Sequence, residues 1–167
     1  MKAWTRLGNL ECSVKNVWMN FGRWTFVNIC GMSRNRIVLD TNSLVQCIAP
    51  RSRYRRIWDS YVEGDYVLCV SNEILNEYEE ILERLAGVEV SKYAIEAILN
   101  SSNTLFCVPS YNFHLIEADP DDNKFVDCAV ATGATCIVTE DHHSSVLNKI
   151  DFPKIVVVGI DTFLHLL

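Results

Sequence analysis

From residue 36 onward, short apolar runs alternate with segments of helical pattern, and this alternation limits the chain to very few folds. The runs are Ile37-Val38-Leu39, Tyr66 to Val70, Cys136-Ile137-Val138-Thr139 and Ile155-Val156-Val157-Val158. None alternates apolar with polar residues, as a strand with one wet face would, so each reads as a strand buried on both sides. Between them, Tyr54 to Glu63 predicts a helix with Ile57, Trp58, Tyr61 and Val62 on one side. Ser71 is placed to cap a long helix that runs to about Ala86 and stops at Gly87. Ser91 to about Asn100 predicts another helix, Leu105 to Val108 a strand closed by Pro109, and Lys124 to Thr132 a helix stopped by Gly133. Ile160 to Leu167 reads as a short terminal helix. Strands alternating with helices predict an α/β fold of three layers, α/β/α, around a mainly parallel central sheet.

Residues 1–31 do not share this order. They hold Trp4, Trp18 and Trp24 with no helical or strand period that would bury a face. Either they are a docking extension or they are upstream sequence that the functional protein does not need. The missing period favours the second reading, with the functional domain spanning 32–167. The 167 residues suit one such domain.

The formal net charge is −6, and residues 1–31 contribute Lys2, Arg6, Lys15 and Arg23 against Glu11 alone. The remainder is therefore more acidic still, which argues against a broad electrostatic grip on nucleic acid. It agrees with a centre that gathers cations first. The seven cysteines form no C-x-x-C pair, and several lie within apolar runs. That suits buried thiols in a reducing compartment, so the expected location is cytoplasmic. No apolar run approaches the ~18 residues that a membrane span needs, so no membrane is expected as a partner.

In parallel sheets, ligands bind beyond the carboxyl ends of the strands. Asp40 follows Ile37-Val38-Leu39, and Asp141 follows Val138-Thr139 closely. Asp119, Asp121 and Asp122 precede the helix that leads into the second of these strands. A single aspartate at a strand end is often only a turn former. Several on one edge are harder to explain that way. On the long helix, Ile74, Leu75, Tyr78, Ile81, Leu82 and Leu85 form an apolar stripe with Glu77 and Glu79 on its two flanks. Helical arithmetic does not choose between those two glutamates.

Four segments taken in order resemble PIN-domain ribonucleases. They are Asp40-Thr41-Asn42-Ser43-Leu44, Ser71 to Tyr78, Asp119-Pro120-Asp121-Asp122-Asn123-Lys124-Phe125 and Val138-Thr139-Glu140-Asp141. The type most similar is the single-domain toxin of bacterial toxin–antitoxin pairs, and the resemblance covers about residues 36 to 167. It implies a metal centre on Asp40, Glu77, Asp122 and Asp141, with Asn42 and Thr139 in support. Asp127, on an otherwise apolar helix, is either a fifth, outer acid or surface-facing. Two features depart from the pattern: Glu140 puts a second acid beside Asp141, and residues 1–31 have no counterpart.

Clustered carboxylates repel one another, and a hard divalent cation relieves that repulsion, so Mg²⁺ or Mn²⁺ is the expected cofactor. The cation would promote attack of water on an RNA phosphodiester, leaving 5′-phosphate and 3′-hydroxyl ends. Arg51, Arg53, Arg55 and Arg56 form a local basic run that either guides the RNA backbone or is a solvated helix start. His142 and His143 read as loop residues. The resemblance also implies an antitoxin partner that blocks the acidic pocket, and a homodimer. Two rivals stand beside the nuclease reading. An aspartyl phosphatase wants a second aspartate two residues after the first, where Asn42 stands. A PIN-like module that binds RNA or protein without cleavage would not need all four acids.

Overall fold

The computed structural model of the protein describes residues 35–167, so the expectation about residues 1–31 lies outside it. The chain runs β1 (Asn35–Leu39), α1 (Thr41–Ile48), α2 (Arg55–Glu63), β2 (Tyr66–Val70), α3 (Asn72–Ala86), α4 (Val88–Asn100) and β3 (Thr104–Phe106). A 3-10 turn at Pro120–Asp122 leads into α5 (Asn123–Thr132) and β4 (Cys136–Val138). A second one, His142–Lys149, precedes β5 (Val157–Val158) and α6 (Ile160–Leu166).

Every strand pairing is parallel, in the order β3-β2-β1-β4-β5. Consecutive residues Ile37, Val38 and Leu39 are all buried, as are Leu68, Cys69 and Val70. Neighbouring side chains on a strand point to opposite faces, so both faces of the sheet are covered, as the unbroken apolar runs require. The result is the three-layer α/β architecture expected. β1 sits in the middle, and the chain builds outward from it first through β2 and β3, then through β4 and β5. The strand order therefore reverses between β1 and β4, and the crevice beyond their carboxyl ends is where such sheets hold ligands.

Local devices fix the elements that frame this crevice. The Ser71 side chain accepts the Ile74 backbone N–H and caps α3, a contact that stabilises a helix start by about 1 kcal/mol. Tyr78, fully buried on α3, donates its hydroxyl to the Leu39 carbonyl at 2.5 Å, tying that helix to the residue before Asp40. Gly133, with φ 61°, closes α5 in the left-handed region that favours glycine.

Several elements differ from the sequence expectation. Helix α1 was not anticipated, because Thr41-Asn42-Ser43 looks like a polar loop; burial of Leu44, Cys47 and Ile48 drives it instead. Helix α4 begins at Val88, three residues before Ser91, whose hydroxyl is buried and donates to the Glu79 carbonyl. Strand β3 starts one residue earlier and stops sooner than expected, and β5 keeps only Val157 and Val158 of its apolar run. Val62 and Leu85, placed on the apolar stripes of α2 and α3, are exposed.

Candidate active site

Register brings the first two acids together. Leu39 pairs with Val138, so the residues that follow them, Asp40 and Thr139, leave the sheet side by side. The Thr139 hydroxyl donates to Asp40 Oδ2 at 3.1 Å and accepts the Asp141 backbone N–H at 3.0 Å. One side chain thus links both strand ends. Asp40 is buried, and that burial pushes its carboxyl up from the ordinary 3.8; Thr139 and the backbone N–H of Asn42 and Thr41 hold it down, while the charge on Glu77 raises it further. Glu77 is therefore close enough to Asp40 to act on its charge. Of the two glutamates that helical arithmetic left open, Glu77 is half-buried and Glu79 is exposed.

Asp122 completes the group. Its carboxyl is raised to about 7, first by burial, then by a hydrogen bond with Asp141 and by the charges of Asp119, Asp40 and Asp141. Asp141 is held below its usual range, first by the His143 backbone N–H, which it accepts at 2.9 Å, and then by Asp122. The hydrogen bond between Asp122 and Asp141 raises one carboxyl and lowers the other, as expected of two crowded acids. Asp40, Asp122, Thr139 and Ser144 line a cleft with about 10 Å³ of free space, on the order of one water molecule. An ion fits there and an organic ligand does not. The carboxyls of Asp40 and Asp122 beside an ion-sized space suit a hard divalent cation, while Ile116, Phe125, Val126 and Ile137 wall the rest of the cleft.

Beside the cleft lies a wider groove of about 520 Å³. Its lining includes Glu73, Glu77, Glu80, Asp121, Asp127 and Lys124. The Lys124 ammonium lies 2.5 Å from Glu77 Oε2 and donates to the Asp121 carbonyl at 2.7 Å. The supporting residue Asn42 reaches Asp40 through its backbone, and its side chain is exposed.

Other residues take roles that spacing did not show. Asp127 is buried and accepts the Phe113 backbone N–H at 2.9 Å, which excludes the surface-facing reading. Asn123, also buried, accepts from Ile116 N–H and donates to the carbonyls of Ile116 and Pro120, pinning the segment that carries Asp119 and Asp122. Glu140 accepts the Ile160 backbone N–H at 2.7 Å. The extra acid beside Asp141 thus ties β4's end to the start of α6. A Cβ on Gly159 would stand 3.0 Å from Glu140 Oε1, so a side chain there would crowd that contact. Asp119 and His143, absent from the predicted ligand set, lie close to Asp141: ligand atoms of the three fall within 4.8 Å of one another. The signal available was proximity, with His143 two residues after Asp141.

The basic run is mostly engaged within the molecule. Arg53 pairs with Asp161, Arg55 with Asp59 and the Ile48 carbonyl, and Arg56 donates to the Leu167 carbonyl. Arg51 is exposed. No helix among the described residues is long and apolar enough to cross a membrane.

None of the curated proteins compared with the chain matches it. Among solved structures, it is similar to VapBC2 from Rickettsia felis bound to a DNA fragment from their promoter, with 16% identity and a TM-score of 0.51 over 74% of this chain and 98% of that one. It is also similar to DNA-bound VapBC from Salmonella typhimurium, with 17% identity and a TM-score of 0.49 over 75% and 98% of the two chains. At such identities, the first likeness speaks for the fold alone. A family model described as PIN domain matches residues 36–143, the stretch that holds β1 through β4 and all four predicted acids. The chain belongs to the PIN domain family.

Proposed function

We propose that this protein is a metal-dependent endoribonuclease, the toxin of a toxin–antitoxin pair. The observation that carries the reading is the acidic group at the sheet's switch point: Asp40 fixed by Thr139, Asp122 hydrogen-bonded to Asp141, and Glu77 near enough to act on Asp40. Mg²⁺ or Mn²⁺ held by Asp40, Glu77, Asp122 and Asp141 would supply positive charge to acidify a water and offset charge on the leaving oxygen. The chain itself does the positioning. Thr139 orients Asp40 and fixes the Asp141 backbone, and the His143 N–H keeps Asp141 ionised. Family membership and the likeness in fold to VapBC2 support the toxin assignment with an antitoxin as partner. The reading is completed by a homodimer as the assembly and the cytoplasm as the location.

In this reading the functional domain spans 32–167, and Asp127 serves as an outer acid held by Phe113 N–H. Arg51 is the member of the basic run that meets RNA phosphates, since Arg53, Arg55 and Arg56 are held by other groups. A metal-titrated cleavage assay on RNA tests the proposal. Cleavage should need the cation and leave 5′-phosphate and 3′-hydroxyl ends. Products with 2′,3′-cyclic phosphate would overturn the mechanism. RNA binding without cleavage at any cation concentration would favour a binding module.

A further inference from the structure

Among the described residues, Lys124 is the sole basic side chain lining the wide groove, and it is held there from three sides. Its ammonium contacts Glu77 Oε2 at 2.5 Å, the Asp121 carbonyl at 2.7 Å and the face of the Phe125 ring, 5.3 Å from its centre. The lysine side chain is only 17% exposed and the glutamate 28%. An ordinary surface pair is looser than this and contributes little. The position is also particular. Lys124 stands two residues after Asp122 at the start of α5, and its partner Glu77 is the acid whose charge reaches Asp40. A positive charge therefore already sits on one of the four carboxylates expected to hold a cation.

We propose that Lys124 is a built-in stand-in for the divalent cation at Glu77. Its ammonium neutralises that carboxylate in the metal-free protein, and a cation drawing on Glu77 must displace it. Lys124 is thus a positioning residue: it holds Glu77 at the groove and sets how readily the helix side of the centre loads. The inference rests on the cation reading of the four acids and adds a competitor to it.

Mn²⁺ binding to the metal-free protein, followed by the loss of the free-ion paramagnetic resonance signal, tests this without any cleavage assay. Lys124→Met should bind Mn²⁺ roughly fivefold more tightly than wild type, the upper range for releasing one ion pair. Lys124→Arg keeps the charge and should stay close to wild type. In a Glu77→Gln background, Lys124→Met should change affinity by less than about twofold, because the contested carboxylate is gone. Tightening that survives in that background would reflect general charge removal and would overturn the inference. So would unchanged or weaker binding by Lys124→Met with a wild-type circular dichroism spectrum. If that variant does not fold, Lys124→Gln takes its place under the same criteria. Wild type that binds no Mn²⁺ overturns the cation reading and this inference together. Binding that Asp40→Asn abolishes but Lys124→Met leaves unchanged overturns this inference alone.

Discussion

The sheet side of the centre and its α3 side deliver the same charge by different means. Asp40 leaves a central strand, is buried, and is fixed by the Thr139 hydroxyl and two backbone N–H groups. Glu77 stands on a helix, half-buried at the edge of a wide groove, and is held by a flexible lysine. Strand register cannot shift by one residue without turning buried side chains to the other face, so the Asp40 side is rigid. A glutamate held by an ammonium can trade that partner for another cation without moving the backbone, so the α3 side is adjustable. On the metal-dependent reading, one half of the centre would define where a cation sits and the other half would respond to its arrival.

Substitutions should separate the two halves, starting with the most damaging. On the nuclease reading, Asp40→Asn is expected to lower RNA cleavage by more than about 100-fold, since it would remove a rigid ligand outright. Burial raises the Asp40 carboxyl, so its ionised form costs stability that a neutral side chain does not. The variant should therefore melt no lower than wild type in the absence of metal above neutral pH. A lower melting temperature would show that the carboxylate is structural and break the comparison.

Thr139→Val removes the donor to Asp40 and the acceptor for the Asp141 N–H together. Loss of cleavage by about 10- to 100-fold is expected, with about 1–3 kcal/mol of stability lost in denaturant titrations. Glu77→Gln should reduce cleavage less than Asp40→Asn does, and raising the Mn²⁺ concentration should restore part of it. Equal and unrescued losses in the two variants would mean that the halves are equally rigid.

A smaller effect concerns pH. The Asp122 carboxyl is raised from 3.8 to about 7, so its protonated form favours the fold. That contribution is complete below about pH 4 and is lost as pH rises through about 7. Metal-free protein should melt lower at pH 8 than at pH 5.5, and Mn²⁺ should raise the melting temperature more at pH 8, because proton and cation compete for the same oxygens. Equal shifts at both pH values would remove Asp122 from the ligand set. The smallest expectation is a control: Glu79→Gln, on the exposed flank of α3, should change stability by less than about 0.5 kcal/mol and leave cleavage unaltered.

The parts legible in sequence were those governed by neighbours in the chain. The apolar runs marked β1, β2 and β4, and Ser71 and Gly87 bracketed α3 at both ends, because caps and strand burial are local effects. Helix α1 escaped notice because packing of Leu44, Cys47 and Ile48 overrides the turn-like preference of Thr41-Asn42-Ser43. The choice of Glu77 over Glu79 needed either the family resemblance or the structure, since both glutamates flank the stripe. The Lys124–Glu77 pair and the Glu140 contact with Ile160 join distant segments, and no periodicity records such contacts. The sequence left the arginine run open between RNA guidance and a solvated helix start; the contacts of Arg53 with α6 and of Arg56 with the Leu167 carbonyl lie far along the chain and leave no local pattern.

The link between Asp40 and Thr139 spans 99 positions of chain. Long closures of this kind form late, after their entropy has been overcome by the pairings that bring the ends together. A nascent polypeptide that has emerged only through α5 already carries Asp40, Glu77 and Asp122, but not the strand that aligns the first of them. On the nuclease reading, catalytic competence is then a property of the finished fold, and the growing chain stays harmless on the ribosome until β4 has slotted in beside β1.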